Sequence, residues 1–146
     1  MKRLVAFLLI ITGIGVVAPM APAAIAAPRL VQASPRHVNF GTQPVGTLTF
    51  AQLTVTNVSS TSLLVLVDAV ELPDDFNFGN LAGSTCIALE GQVLTAGESC
   101  VAVVGFQPSE FFAGQRQTAT LLVTASDPSS GERLDSVTVK VTGRGN

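Results

Sequence analysis

From residue 30 onward the chain is built of short runs in which apolar and polar residues alternate. The runs are separated by clusters of Gly, Pro, Asn, Asp and Ser. A period of two predicts strands, and no stretch there keeps a helical period for three turns. Residues 30–33 make a first strand, broken by Ser34-Pro35, and Val38-Asn39-Phe40 a second, ended by Gly41. Residues 47–56 put Ala51, Leu53 and Val55 on one face and Gln52, Thr54 and Thr56 on the other. Asn57-Val58-Ser59-Ser60 then reads as a turn. Residues 63–70 are apolar on both faces, which predicts a strand covered on both sides or ending under a loop. Phe76 and Phe78 flank Asn77; Cys100, Ala102, Val104 and Phe106 share a face; so do Ala119, Leu121, Val123 and Ala125, and finally Val137, Val139 and Val141. Asp127-Pro128-Ser129-Ser130-Gly131 is the clearest hairpin connection.

Strands that are apolar on one face cannot hide that face alone, so two sheets must close on each other. The expected fold is all-β, an immunoglobulin-like antiparallel β-sandwich of about seven to eight strands. One domain over residues 27–146 accounts for the pattern, without an internal repeat.

The N-terminus reads differently. Lys2 and Arg3 precede a mostly apolar run over residues 4–17, and a stretch rich in Ala and Pro follows. Ala24-Ile25-Ala26 fits the small-x-small cleavage rule, so residues 1–26 are expected to be a signal peptide. Cleavage after Ala27 would instead leave Pro28 first, a poorer context. An uncleaved membrane anchor is the competing reading, but Gly13, Gly15, Pro19 and Pro22 interrupt a run that would need roughly 20 apolar residues to span. The expectation is an exported protein that is secreted, periplasmic or associated with the cell envelope.

Cys86 and Cys100 are the only cysteines. In an oxidising compartment a disulfide is the default reading. Closing a loop of this length restricts the unfolded chain by about 3 kcal/mol in the entropic model. Zinc is excluded by ligand supply, since His37 is the only histidine. A catalytic dithiol would have its cysteines separated by two residues, not by thirteen.

Read in order, these features resemble the bacterial choice-of-anchor repeat, related to the ASH domain of Hydin-type ciliary proteins. The resemblance is carried by Ser34-Pro35, Val38-Asn39-Phe40-Gly41-Thr42, Val45-Gly46, Leu53-Thr54-Val55-Thr56-Asn57 and Phe76. Cys86, Leu94-Thr95-Ala96-Gly97-Glu98-Ser99-Cys100, Phe106-Gln107-Pro108, Gly114 and Val141-Thr142-Gly143-Arg144-Gly145 complete it. It implies an immunoglobulin-like sandwich used for adhesion or scaffolding, with no catalytic residues to carry over. Where members usually place Gly soon after the Asn, this chain has Val58-Ser59-Ser60, which implies a longer turn.

Charge and composition narrow the function. Without residues 1–26 the chain holds six basic and ten acidic residues, a net charge of −4. Such a domain has no positive footprint for nucleic acid. A Ser-His-Asp arrangement would have to use His37, better read as an exposed or half-packed residue at the entrance to a strand. Asp74, Asp75, Asn77 and Asn80 cluster oxygen atoms as a calcium loop would, but their spacing is not that of an EF-hand. A solvated turn is the preferred reading, and no metal or cofactor is expected. Asn57-Val58-Ser59 is a glycosylation sequon that more simply marks a turn. Trp and Tyr, the usual platforms for sugars, are missing. Phe111-Phe112 stands apart, because neighbours on a strand point to opposite faces. Core packing under a turn or covering loop is the first reading of the pair. A contact patch for a partner, on a loop between Pro108 and Gly114, is the second.

The function these readings favour is a non-catalytic module for protein binding, adhesion or envelope scaffolding. The alternative is a periplasmic chaperone or subunit pairing edge strands with another chain, with residues 27–33 as the donor strand. A small hydrolase comes third. Thiol counting on the denatured exported protein should find no free thiol; two would overturn the stapled-domain reading.

Overall fold

A computed structural model of the chain describes residues 27–79, 81–86 and 91–146. The expected signal peptide, residues 1–26, lies outside the described residues, as does Asn80. The described residues form nine strands and one 3₁₀ turn: β1 Val31–Ser34, β2 His37–Gln43, β3 Thr49–Asn57, β4 Leu63–Glu71, β5 Phe76–Phe78, β6 Gln92–Leu94, β7 Ser99–Phe106, the turn Glu110–Phe112, β8 Arg116–Ser126 and β9 Arg133–Gly145. One sheet has the order β1-β3-β7-β5 and the other β2-β9-β8-β4-β6. The chain passes from the first sheet to the second at the cis Ser34–Pro35 bond, between β1 and β2.

The alternation read from the sequence sorts inside from outside. Leu53 and Val55 on β3, Ala102, Val104 and Phe106 on β7, Leu121 and Val123 on β8, and Val139 and Val141 on β9 are fully buried between the sheets. Cys86 and Cys100 are joined, with their Cα atoms 4.9 Å apart and both residues buried. The disulfide fastens the segment after β5 to the start of β7. Backbone bonds fix the same segment: the N–H groups of Thr85 and Cys86 donate to the Val101 carbonyl at 2.6 and 2.9 Å. In return the Val101 and Val103 N–H groups donate to Thr85 Oγ1 and Ser84 Oγ. These residues therefore satisfy β7 along the edge that the three-residue β5 leaves uncovered.

At one end of the sandwich Phe40, Phe76 and Phe106 form a cluster with ring centroids 4.8–6.4 Å apart. Gly143 on β9 makes the cluster fit: a Cβ there would stand only 2.5 Å from the Phe106 ring. No larger residue leaves room for that ring without moving it.

Four expectations change. The sandwich is not wholly antiparallel, because β2 runs parallel to β9, the strand it joins after changing sheets. β2 also continues past Gly41, through a bulge in which Phe40 and Gly41 stand opposite Gly143. β4 is covered on one face only: Leu63, Val65 and Val67 are buried, while Val70 is 61% exposed. A β-branched residue suits a pleated strand whichever side it faces, so composition did not reveal the wet face. β6 carries no alternation long enough to read; β4 recruits it through Leu63↔Leu94 and Val65↔Gln92.

The two ends of β9 differ chemically. At its start Asp135 gathers the incoming chain: Oδ2 accepts the N–H groups of Leu30 (2.8 Å) and Val31 (3.3 Å). Oδ1 accepts the Ser136 N–H (2.7 Å) and faces Arg29 Nη1 (3.4 Å). Burial pushes this carboxyl up, but the three backbone donors and Arg29 outweigh it and hold the group below its ordinary value. In the hairpin before β9, Asp127 accepts from the hydroxyl and N–H of Ser129 and the N–H of Ser130, which lowers it to about 2. Carboxylates lowered on folding stabilise the protein above their unfolded pKa, near 4, and lose that contribution as pH falls through the folded value. The urea midpoint should therefore drop between pH 6 and pH 3, and the drop should be smaller in Asp135→Asn and Asp127→Asn.

Candidate functional site

The Phe cluster closes the end of the sandwich where three connections converge. These are the β2–β3 turn, the β4–β5 loop and the long β7–β8 loop. Phe106 is the last residue of β7, so its burial sets where the β7–β8 loop begins. Gln107 N–H donates to the Asp75 carbonyl (2.8 Å) and its side-chain Nε2 to the Gly46 carbonyl (3.0 Å). Gly46 N–H donates to the Pro108 carbonyl (2.8 Å), and Ser109 N–H to Asp75 Oδ1 (3.1 Å). Gly46 has φ +78°, a conformation that β-carbon-bearing residues rarely adopt, so a Gly suits this tight turn. The three connections are thereby tied into one unit rather than left as separate loops.

They border an open cleft of about 670 Å³. Its lining combines the acidic residues Asp74, Asp75 and Glu110 with the apolar residues Val45, Pro108, Phe111 and Phe112. No Lys or Arg is among the lining residues. Asp74 is exposed, whereas Asp75 is only 2% exposed, and its Oδ2 has no hydrogen-bond partner among the described residues. The solvated turn expected for this pair thus holds for Asp74 and fails for Asp75. Its Oδ1 is held by the Ser109 N–H, which draws the side chain inward. Among the described residues no three His, Cys, Asp or Glu side chains are grouped so as to hold a metal ion.

Phe111 corrects the core-packing reading. The 3₁₀ turn Glu110–Phe112, with three residues per turn, carries Phe111 away from the sandwich, where it is 88% exposed. Phe112 is half-buried and meets the Phe111 ring edge-on, at 5.8 Å between centroids and 68° between planes. The disulfide lies at the other end of β7 and takes no part in this cleft. His37 is exposed at the start of β2; its Nε2 lies 3.0 Å from Thr142 Oγ1, which donates to Asn39 Oδ1.

Asn57 is a residue the sequence reading undervalued. Read as a turn and as a sequon, it is fully buried. Its Nδ2 donates to the carbonyls of Thr61 (2.7 Å), Leu94 (2.9 Å) and Thr95 (3.1 Å). Its Oδ1 accepts from the N–H and the hydroxyl of Ser59. Both amide hydrogens are engaged inside the protein, so the sequon is closed to modification in the folded state. The signal was available: Asn57 follows Leu53 and Val55 at the same parity and so faces inward.

With this geometry in view, solved structures give the class. The ASH/PapD-like domain of human CEP192 (PapD-like domain 7) superposes with a TM-score of 0.63 at 11% identity, over 92% of this chain and 98% of that domain. WR4, an MSP family member of C. elegans, gives 0.56 at 11% identity, over 80% and 99%. The E. coli chaperone DraB gives 0.56 at 14% identity, over 79% of this chain but only 54% of the chaperone. The protein thus has an ASH/PapD-like immunoglobulin-like fold, and at such identities the likeness concerns the fold alone. No family model and no curated protein matches the sequence.

Replacing Asn57 with Ala leaves several inward-facing carbonyls without their donor. Asn57→Ala should cost about 2–3 kcal/mol in chemical denaturation, with the native fold retained by circular dichroism.

Proposed function

We propose that this protein is an exported, non-catalytic immunoglobulin-like module that binds another protein through the loop end bearing Phe111. The exposure of Phe111 carries the reading. A large aromatic ring held outward on a hydrogen-bonded turn, beside a preformed cleft, suits the anchor of an interface. The burial of Phe106 and Asp75 beneath it provides the rigid support such an anchor needs. Export follows from the signal-like N-terminus and agrees with the disulfide. Adhesion or envelope scaffolding, as in choice-of-anchor proteins, is the role this reading assigns.

A second reading is a chaperone or subunit that pairs strands with a partner, favoured by the fold likeness to DraB and to the SafB chaperone, which was solved in complex with the SafA pilin. This chain spans 54% and 57% of those two chains. The donor strand expected at residues 27–33 is largely engaged already: β1 pairs with β3, and Val31 and Ala33 are buried in the protein's own core. Strand addition would therefore use β2, the longest edge strand among the described residues.

Site-specific photo-crosslinking in the native envelope separates these readings. A photoreactive phenylalanine at position 111 should capture one discrete protein, and the same group at Ser130, at the opposite end of the sandwich, should not. Capture from Thr42 on β2 instead would favour strand pairing, and no adduct at position 111 would refute the leading reading.

A further inference from the structure

The cleft beside Phe111 has a chemical bias that goes beyond general stickiness. Three carboxylates line it, from two different loops, and no basic side chain among the lining residues answers them. Surface carboxylates alone would mean little, because water solvates them well. Asp75 is different: it is 98% buried and only one of its oxygens is matched, by the Ser109 N–H. Its other oxygen, Oδ2, has no donor among the described residues. A buried carboxylate oxygen without a donor is costly, and functional sites are where such groups persist. The same lining includes Phe111, whose exposed ring can receive a planar group on its face.

We infer that this cleft takes an arginine side chain from a protein partner, which deepens the binding-module reading and rests on it. A guanidinium is planar, always charged and forked. It can give N–H donors to the exposed carboxylates of Asp74 or Glu110 while its face lies on the Phe111 ring, with the buried charge of Asp75 behind them. An ammonium group offers a point charge and no flat face, so lysine fits less well. The overall charge, −4 without residues 1–26, favours the approach of a basic segment.

The test is an NMR titration of the isotope-labelled protein with the peptide Gly-Arg-Gly, its neutral citrulline counterpart, and calcium chloride alone. The arginine peptide should move the amides of Asp75 and of residues 109–112, and the citrulline peptide should leave them in place. Asp75→Asn can keep the Oδ1 acceptor for Ser109 while a neutral amide nitrogen replaces the other oxygen and the charge is lost; it should weaken binding about tenfold or more. The variant carrying Asp74→Asn and Glu110→Gln changes exposed side chains and provides a second measure: it should weaken binding and flatten its salt dependence. Absence of shifts, equal binding by the citrulline peptide, or undiminished binding by these variants would overturn the inference. So would calcium chloride moving these amides where the arginine peptide does not. A partner captured through position 111 whose contacting segment lacks arginine would sink this inference and leave the binding-module reading standing. Arginine-dependent shifts without any captured partner would support the cleft's chemistry and count against that wider reading.

Discussion

The contact of the Phe106 ring with the backbone of Gly143 is the constraint on which the functional end depends. Phe106 belongs to one sheet and Gly143 to the other, and the missing side chain lets the ring lie directly on β9. Phe40 and Phe76 close around it, from β2 and β5. Because β7 ends at Phe106, the same contact sets where the following loop leaves the sandwich. The positions of Gln107, Ser109, Glu110 and Phe111 are consequences of that anchoring. A core contact between two sheets is thus also what builds the cleft.

The opposite end is secured by different means. Asn57 takes the place of an apolar side chain at the last inward position of β3 and binds carbonyls of the β3–β4 connection, of the last residue of β6 and of the residue after it. Asp135 collects the N–H groups of the incoming chain. Both residues turn an unavoidable problem, backbone polar groups at the end of a β-sandwich, into specific bonds. The disulfide completes this arrangement by holding the segment that covers β7 beyond β5. Polar hubs and a covalent staple at one end leave the other end as the one with an exposed aromatic and an unmatched carboxylate.

Much of the sandwich was legible because alternation reports directly on which face is dry. β3, β7, β8 and β9 present inside the very residues their patterns place there, and the only two cysteines pair. β6 escaped because three residues hold too little pattern, and its strand character comes from pairing with β4. β4 was misjudged because apolar residues on both faces do not say whether a second layer covers the outer one. Asn57 was legible in principle, since its parity follows Leu53 and Val55, but turn chemistry masked it.

By itself the sequence determined the class: an all-β sandwich with alternating faces and a disulfide between Cys86 and Cys100. These properties depend on local period and on a pairing with only one solution. Tertiary structure alone decided that Asp74 faces water while Asp75 is buried, and that Phe111 is turned outward while Phe112 is tucked in. Adjacent residues of the same type carry no local signal to tell them apart. Their difference arises where three loops, distant in sequence, are drawn together by backbone hydrogen bonds above the Phe106 ring.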